Sequence, residues 1–424
     1  MPNIYIESYG CSTSYGESEM MAGLLKQANF NIVNNEKQAD LVIVVTCYVK
    51  SPTEQKILFR IKQLSKKKLI IAGCMPEGIY QRLMEVAPET SLVSTHHVKD
   101  IVQAVEKTLQ GKRVEYLGKS EEVKLCLPRI RKNPLISIVP ISSGCNSLCT
   151  YCCVRLAKGK LFSFPKEAIL KEIETSLKEG CKEVWLTAQD TASYGFDKGA
   201  KLPELLKEIT KIPNDFFIRV GMMNIKSVTP IASSLIESFK DDKIYKFIHL
   251  PLQSGSDTIL KSMNRGHTVS QFEKIINSFR ESFKCQIWTD IIVGYPTEKE
   301  EDFLKTLAII KKVKPDWVNV SKFGSRPGTE AAKLKPLHPR IVNERSKIAS
   351  ELVRKVSLEK NKQWNNWKGE ILISEKGKKA GQWIGRNFAY KPILVESKNN
   401  VLGKVLNVKV VDFTHSHLVG QISG

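Results

Sequence analysis

Residues 135–152, LISIVPISSGCNSLCTYC, decide how this chain is read: a short apolar run, a turn of small residues, then three cysteines spaced Cys145-x-x-x-Cys149-x-x-Cys152. An apolar run of that length bounded by turn residues is a buried strand. Three thiolates so close in sequence can hold three irons of a cubane [4Fe-4S] cluster, and no fourth cysteine follows at ferredoxin spacing, so one iron stays open. A structural zinc site is the competing reading, but zinc usually takes paired Cys-x-x-Cys or Cys/His sets. Cys153 adjoins Cys152, and sequence neighbours seldom point at one cluster, so it reads as packing.

Downstream, apolar runs at 183–187, 217–222, 247–251, 287–293 and 317–323 alternate with helical segments such as 166–177 and 202–211. With 135–140 they make six repeats, which predicts a βα barrel or partial barrel with its site at the carboxyl ends of the strands. Upstream, strands at 3–8, 40–46, 69–72 and 90–93 alternate with helices at 17–27, 53–64 and 98–109, the pattern of a parallel sheet with covering helices. Cys11, Cys47 and Cys74 each follow one of the first three of these strands. Strand carboxyl ends in an open parallel sheet face one crevice, so these cysteines can converge. Short strands with glycine turns from residue 361 predict a small all-β barrel. The expected domains are 1–111, a linker or edge excursion at 112–133, 134–360, and 361–424.

At 424 residues, 42% apolar and 26% charged, the composition is that of a folded globular protein of two or three domains. No run approaches the roughly 18 apolar residues of a membrane span, and no signal-peptide pattern opens the chain. A cytoplasmic protein with no membrane partner is expected, in which ten cysteines serve metal or catalysis rather than disulfides. The 65 Lys and Arg against 44 Asp and Glu give +21, a field that gathers polyanions, although a solubility charge is the plain alternative. Residues 361–424 carry ten basic against four acidic side chains together with Trp364, Trp367, Trp383, Phe388 and Tyr390. Cations beside rings suit RNA, with about half of the rings expected in the barrel core.

The cysteine loop, with an aromatic residue before its last cysteine and a barrel strand before its first, resembles the radical S-adenosylmethionine (SAM) superfamily. LTAQDT (186–191), HLPLQSGS (249–256), NRG (264–266) and DIIVGYP (290–296), between a flavodoxin-like domain with three cysteines and a TRAM-like barrel, resemble the methylthiotransferases along nearly the whole chain. Within them the chain most resembles the archaeal and eukaryotic branch that acts on N6-threonylcarbamoyladenosine (t6A) beside the tRNA anticodon. The resemblance implies an α/β chain with a flavodoxin-like N-terminal domain, a partial (βα)6 TIM-like core and an all-β TRAM barrel that binds RNA. It implies two [4Fe-4S] clusters: one on Cys145, Cys149 and Cys152, whose vacant iron chelates SAM, and one on Cys11, Cys47 and Cys74, whose vacant iron holds the sulfur to be inserted. By the same resemblance Tyr151, Gln189, Asp190, Arg219, His249, Gln253, Arg265 and Asp290 line the SAM pocket, with Arg265 on its carboxylate. For any one of these an internal hydrogen bond competes as an explanation.

The implied reaction turns t6A at position 37 of a tRNA anticodon stem-loop into its 2-methylthio derivative, with sulfur and electron donors that the sequence does not identify. The same chemistry on isopentenyladenosine 37 or on a ribosomal-protein aspartate is an alternative, as is an iron-sulfur RNA-binding regulator without turnover. Thr297-Glu-Lys-Glu300 reads as a capping box, Lys158-Gly-Lys160 as a phosphate contact or a loop end, and Cys126, Cys181 and Cys285 as ordinary thiols.

Overall fold

A computed structural model describes residues 1–47 and 51–423. Strands β1 (Asn3–Ser8), β2 (Asn31–Val33), β3 (Leu41–Thr46), β4 (Leu69–Gly73), β5 (Ser91–Ser94) and β6 (Glu115–Tyr116) form one parallel sheet ordered β2-β1-β3-β4-β5-β6. Its first five positions follow the flavodoxin-like order. β3 shows why: Leu41, Ile43 and Val45 pack with Met20, Met21 and Leu25 of helix α1 (Ser12–Gln27), while Val42 and Val44 pack with Ile57 and Ile61 of helix α2 (Ser51–Leu64). A strand covered on both faces has no polar side to alternate with, hence the unbroken LVIVVT.

α1 begins five residues before the expected helix. Its first turn, Ser12-Thr13-Ser14, has no apolar periodicity, so only contact with the next domain marks it as structured. That contact is Thr13 Oγ1 with Thr187 Oγ1 at 3.1 Å, and further along the helix a Cβ on Gly23 would lie 2.1 Å from the Pro128 carbonyl oxygen of the 112–133 stretch. β2 and β6 went unread because three and two residues carry no pattern. The 112–133 stretch adds β6 to the sheet edge and then runs between domains, where Lys124 and Leu125 are buried and Ile130 N donates to Glu19 O at 3.0 Å.

The central domain begins with β7 (Ile136–Pro140), followed by the small hairpin of β8 (Ser142–Ser143) and β9 (Phe162–Ser163), which brackets the cysteine loop. β10 (Glu183–Thr187), β11 (Phe217–Val220), β12 (Phe247–His249), β13 (Gln286–Val293) and β14 (Trp317–Lys322) complete six parallel strands. They form two three-stranded sheets, β7-β10-β11 and β12-β13-β14, connected by a bridge between Ile218 and Ile244: a partial barrel.

β15 (Lys368–Lys376), β16 (Gln382–Arg386), β17 (Pro392–Glu396), β18 (Val405–Phe413) and β19 (Leu418–Ile422) close into a barrel ordered β15-β16-β17-β19-β18. Trp364 and Trp383 fill its core, Trp367 packs against that core, and Tyr390 lies buried on Tyr245 and Phe247 at centroid distances of 4.9 and 5.0 Å. Only Phe388 of the five rings is exposed, so the aromatic face expected for RNA is mostly interior. The barrel sits against the amino ends of the central strands, where Phe247 opens β12 and Lys391 pairs with Asp316 at 2.8 Å. No helix among the described residues is long and apolar enough to cross a membrane.

Candidate functional site

The cysteine loop leaves β8 through Gly144, whose φ of +76° suits glycine, and a Cβ there would lie 1.8 Å from the Lys160 carbonyl oxygen. Cys145 N donates to Gly159 O at 3.2 Å, closing the loop base. Its middle is pinned through Thr150: the amide donates to Met263 O at 3.0 Å, and the hydroxyl meets Ser262 O at 3.0 Å and the Tyr295 hydroxyl at 2.9 Å. Burial pushes the Cys152 thiol up to about 12 and also raises Cys145, whose sulfur accepts from Ser147 N at 3.4 Å. Arg265, 7% exposed, directs Nη1 to Cys149 Sγ at 3.3 Å and to the Tyr151 hydroxyl at 3.4 Å, and Nη2 to Pro251 O at 3.0 Å. A buried guanidinium held against a cysteine sulfur offsets negative charge gathered there.

Gly144→Ala should therefore fail at the loop itself. It adds positive-φ strain of about 1–3 kcal/mol and a clash with backbone that cannot move aside. Reconstituted Gly144→Ala protein should bind less iron than the wild type by colorimetric assay.

Of the other expected pocket residues, Asp190 is 3% exposed and both its oxygens are taken, by Asn224 N at 2.9 Å and by the Ser227 hydroxyl at 2.6 Å. Its work is to hold Asn224, whose side chain reaches Ser147 Oγ at 3.1 Å and Arg265 Nη2 at 3.4 Å. Asn224 was missed in the sequence; it caps the short helix Ile225–Val228, and an Asn before an apolar helix start was the available signal. Gln253 has φ +75° and is stitched to β13, its amide to Asp290 O at 2.8 Å and its carbonyl accepting from Ile292 N at 2.9 Å. His249 Nε2 meets Asp290 Oδ2 at 2.7 Å, and Asn319 Nδ2 donates to Asp290 Oδ1 at 2.7 Å, a polar row across β12, β13 and β14. Arg219 lies apart from these, its guanidinium 5.3 to 5.6 Å from the ring centroids of Trp185, Phe247 and Tyr390. Tyr390 belongs to the C-terminal barrel, which places Arg219 toward the amino end of the core.

Cys11, Cys47 and Cys74 follow β1, β3 and β4, which are adjacent in the sheet. Cys11 caps α1 and Cys74 caps the short helix Met75–Gly78. A hydrogen bond from Cys47 is the main force holding the Cys11 thiol well below its usual range, against burial and with help from Lys158. Burial pushes Cys74 up to about 11, with Lys158 pulling the other way. Among the described residues no three Cys, His, Asp or Glu side chains close on the single point that one ion would need, whereas a cubane spreads its ligands over separate irons. The segment that follows the cysteine loop reaches the N-terminal set. Lys158, six residues past Cys152, lies in the field of Cys11 and Cys74, and Thr13 Oγ1 meets Thr187 Oγ1 at 3.1 Å across the interface.

The central domain, residues 139–310, matches the Radical SAM superfamily, and residues 3–95 match the uncharacterized protein family UPF0004. Among solved structures the chain resembles the radical S-adenosylmethionine methyltransferase TsrM from Kitasatospora setae (TM-score 0.57, 12% identity, 78% of this chain and 75% of that one). It also resembles the cobalamin-dependent S-adenosylmethionine radical enzyme OxsB (TM-score 0.52, 11% identity, 83% of this chain and 56% of that one). Family match, fold and cysteine loop together define a radical SAM enzyme. A probable threonylcarbamoyladenosine tRNA methylthiotransferase of Methanothermobacter thermautotrophicus is 40% identical over 99% of both chains, and one of Pyrococcus abyssi is 40% identical over 100% of both. The threonylcarbamoyladenosine tRNA methylthiotransferase of Xenopus laevis is 32% identical over 99% of this chain and 76% of that one. This chain belongs to the threonylcarbamoyladenosine tRNA methylthiotransferase family.

Proposed function

We propose that this chain places a methylthio group on carbon 2 of t6A at position 37 of tRNA, using SAM and two [4Fe-4S] clusters, in the cytoplasm. The observation that supports the reading is that the chain leaving the Cys145–Cys152 loop carries Lys158 into the field of Cys11 and Cys74, across the contact between the first and second domains. Cys145, Cys149 and Cys152 hold the first cluster, and Cys11, Cys47 and Cys74 the second. When bound, SAM and its cluster supply one-electron chemistry able to act on an unactivated C–H bond. Arg265 balances charge beside Cys149, and Asp190 positions Asn224 against it. Tyr151, Gln189, His249, Gln253 and Asp290 border the cofactor, with Arg219 supporting the core from below. The excess of basic over acidic residues in the C-terminal barrel draws the tRNA anticodon arm.

The test is reconstitution to about eight irons per chain, then incubation with SAM, reductant, sulfide and tRNA carrying t6A. Mass spectrometry of the nucleosides should show the 2-methylthio derivative of t6A and none from tRNA carrying isopentenyladenosine. No product from fully loaded enzyme that still cleaves SAM overturns the proposal.

A further inference from the structure

The chain that leaves the cysteine loop does not stay within its own domain. Cys153, next to Cys152, belongs to the same hydrophobic cluster as Met75, next to Cys74, and Leu58 of α2. The short helix Val154–Lys158 packs on the short helix Met75–Gly78, and Ala157 O meets His96 Nε2 at 3.1 Å. One further segment, 326–331, reaches both sides of this contact. Ala331 N donates to Thr150 O in the cysteine loop at 2.8 Å, and a Cβ on Gly328 would lie 3.0 Å from Leu156 Cδ1. The Arg326 carbonyl accepts from the amide and the hydroxyl of Thr329 at 3.1 and 2.7 Å, which closes the turn. From that turn Arg326 Nη1 reaches the carboxylate of Glu54 on α2, the helix that follows Cys47.

Arg326 and Glu54 are both buried, and the Glu54 carboxylate also takes the half-exposed Arg82. Arg82 belongs to the same domain as Glu54, whereas Arg326 crosses to it from the central domain. A buried ion pair returns little net stability over an apolar contact, yet it resists displacement, because parting the charges leaves them uncompensated. Burial pushes the Cys153 thiol up to about 11, with Arg326 pulling it down and Glu54 acting with burial, so the pair stands beside the neighbour of Cys152.

We propose that Arg326 is a positioning residue for sulfur insertion: bound to Glu54, it fixes the separation between the loop of Cys145, Cys149 and Cys152 and the sheet ends that carry Cys11, Cys47 and Cys74. Cleavage of SAM needs the loop alone; insertion of sulfur needs both sets in register. The inference rests on the two-cluster reading above and adds the element that sets the distance between the clusters.

Reconstituted full-length R326Q should keep the wild-type iron content and rate of 5′-deoxyadenosine formation. Its yield of methylthio product per 5′-deoxyadenosine should fall by about tenfold or more, since a misplacement of about 1 Å can cost about a hundredfold. R82Q, which removes the partner that does not cross, should keep the wild-type ratio. Hydrogen exchange reads the geometry without turnover: amides of 154–158 and 326–331 should exchange about tenfold faster in R326Q and at the wild-type rate in R82Q. If R326Q loses iron, E54Q/R326M removes both buried charges and carries the test with the same expected changes. A wild-type ratio or wild-type exchange in the variant that keeps its iron, or an equal fall in R82Q, overturns the proposal. So does a loss of product matched by an equal loss of 5′-deoxyadenosine, which would assign Arg326 to the fold of the loop alone. If wild type binds only about four irons or makes no methylthio product, the two-cluster reading fails and this inference with it.

Discussion

Replacing Cys145, Cys149 and Cys152 together with alanine should take the iron from about eight to about four per chain and abolish formation of 5′-deoxyadenosine from SAM. Replacing Cys11, Cys47 and Cys74 should remove a similar amount of iron yet leave SAM cleavage running, with no 2-methylthio product. The asymmetry follows from the scaffolds. The first set hangs on a loop pinned by Thr150 to Met263, Ser262 and Tyr295, all within the central domain. The second stands at three strand ends of a sheet with its own hydrophobic cores on both faces. Neither scaffold needs the other set to fold, so the losses should separate. Iron assays beside chromatography of the nucleoside products decide it: total iron loss in either triple variant would mean one shared site, and full iron retention would mean no cluster there.

The parts of this architecture legible in the sequence are those that one local pattern determines. The expected strand 183–187 coincides with β10 because its apolar run is short and bounded by polar turns. Cys11, Cys47 and Cys74 could be grouped before any coordinates because the residue after a parallel strand has a known destination. The parts that were hidden depend on packing between domains. Glu17, Lys124 and Lys158 meet from three separate segments, and Lys158 reads in sequence as a phosphate contact or a loop end because nothing near it names a partner. Arg219 was grouped with the cofactor residues since β11 belongs to the barrel, but its depth along the strand is set by the aromatic plug of Tyr390, which comes from another domain. Of the barrel rings, Trp364 and Trp383 fill the core, near the expected half, whereas Tyr390 goes to the seam, because a barrel docked on a neighbour needs rings there as well as in its own core.

That seam carries the second large effect. Lys391→Ala should destabilise the protein by about 3–5 kcal/mol, because it leaves a buried carboxylate uncompensated. Lys391 and Asp316 side chains are 2% and 1% exposed, and Lys391 Nζ also bonds Asn361 Oδ1 at 2.8 Å. Asp316 cannot swing out to water, since its Oδ2 accepts Ile287 N at 2.9 Å and its own amide donates to Ile287 O at 2.8 Å. Lys360 and Arg280 share the field around Asp316, which holds the cost toward about 3 kcal/mol. The pair D316N/K391M removes both charges, retains an amide that can still accept at Ile287, and should recover most of the loss in urea denaturation. Equal instability of the single and double variants would mean that the lysine stem packs the seam rather than neutralising it. The barrel and the cysteine loop lie at opposite ends of the central strands, so on the proposed reading an RNA held by both would span the core and depend on the angle of the barrel. The loosened seam of Lys391→Ala should thus weaken RNA binding more than D316N/K391M does, at unchanged iron content.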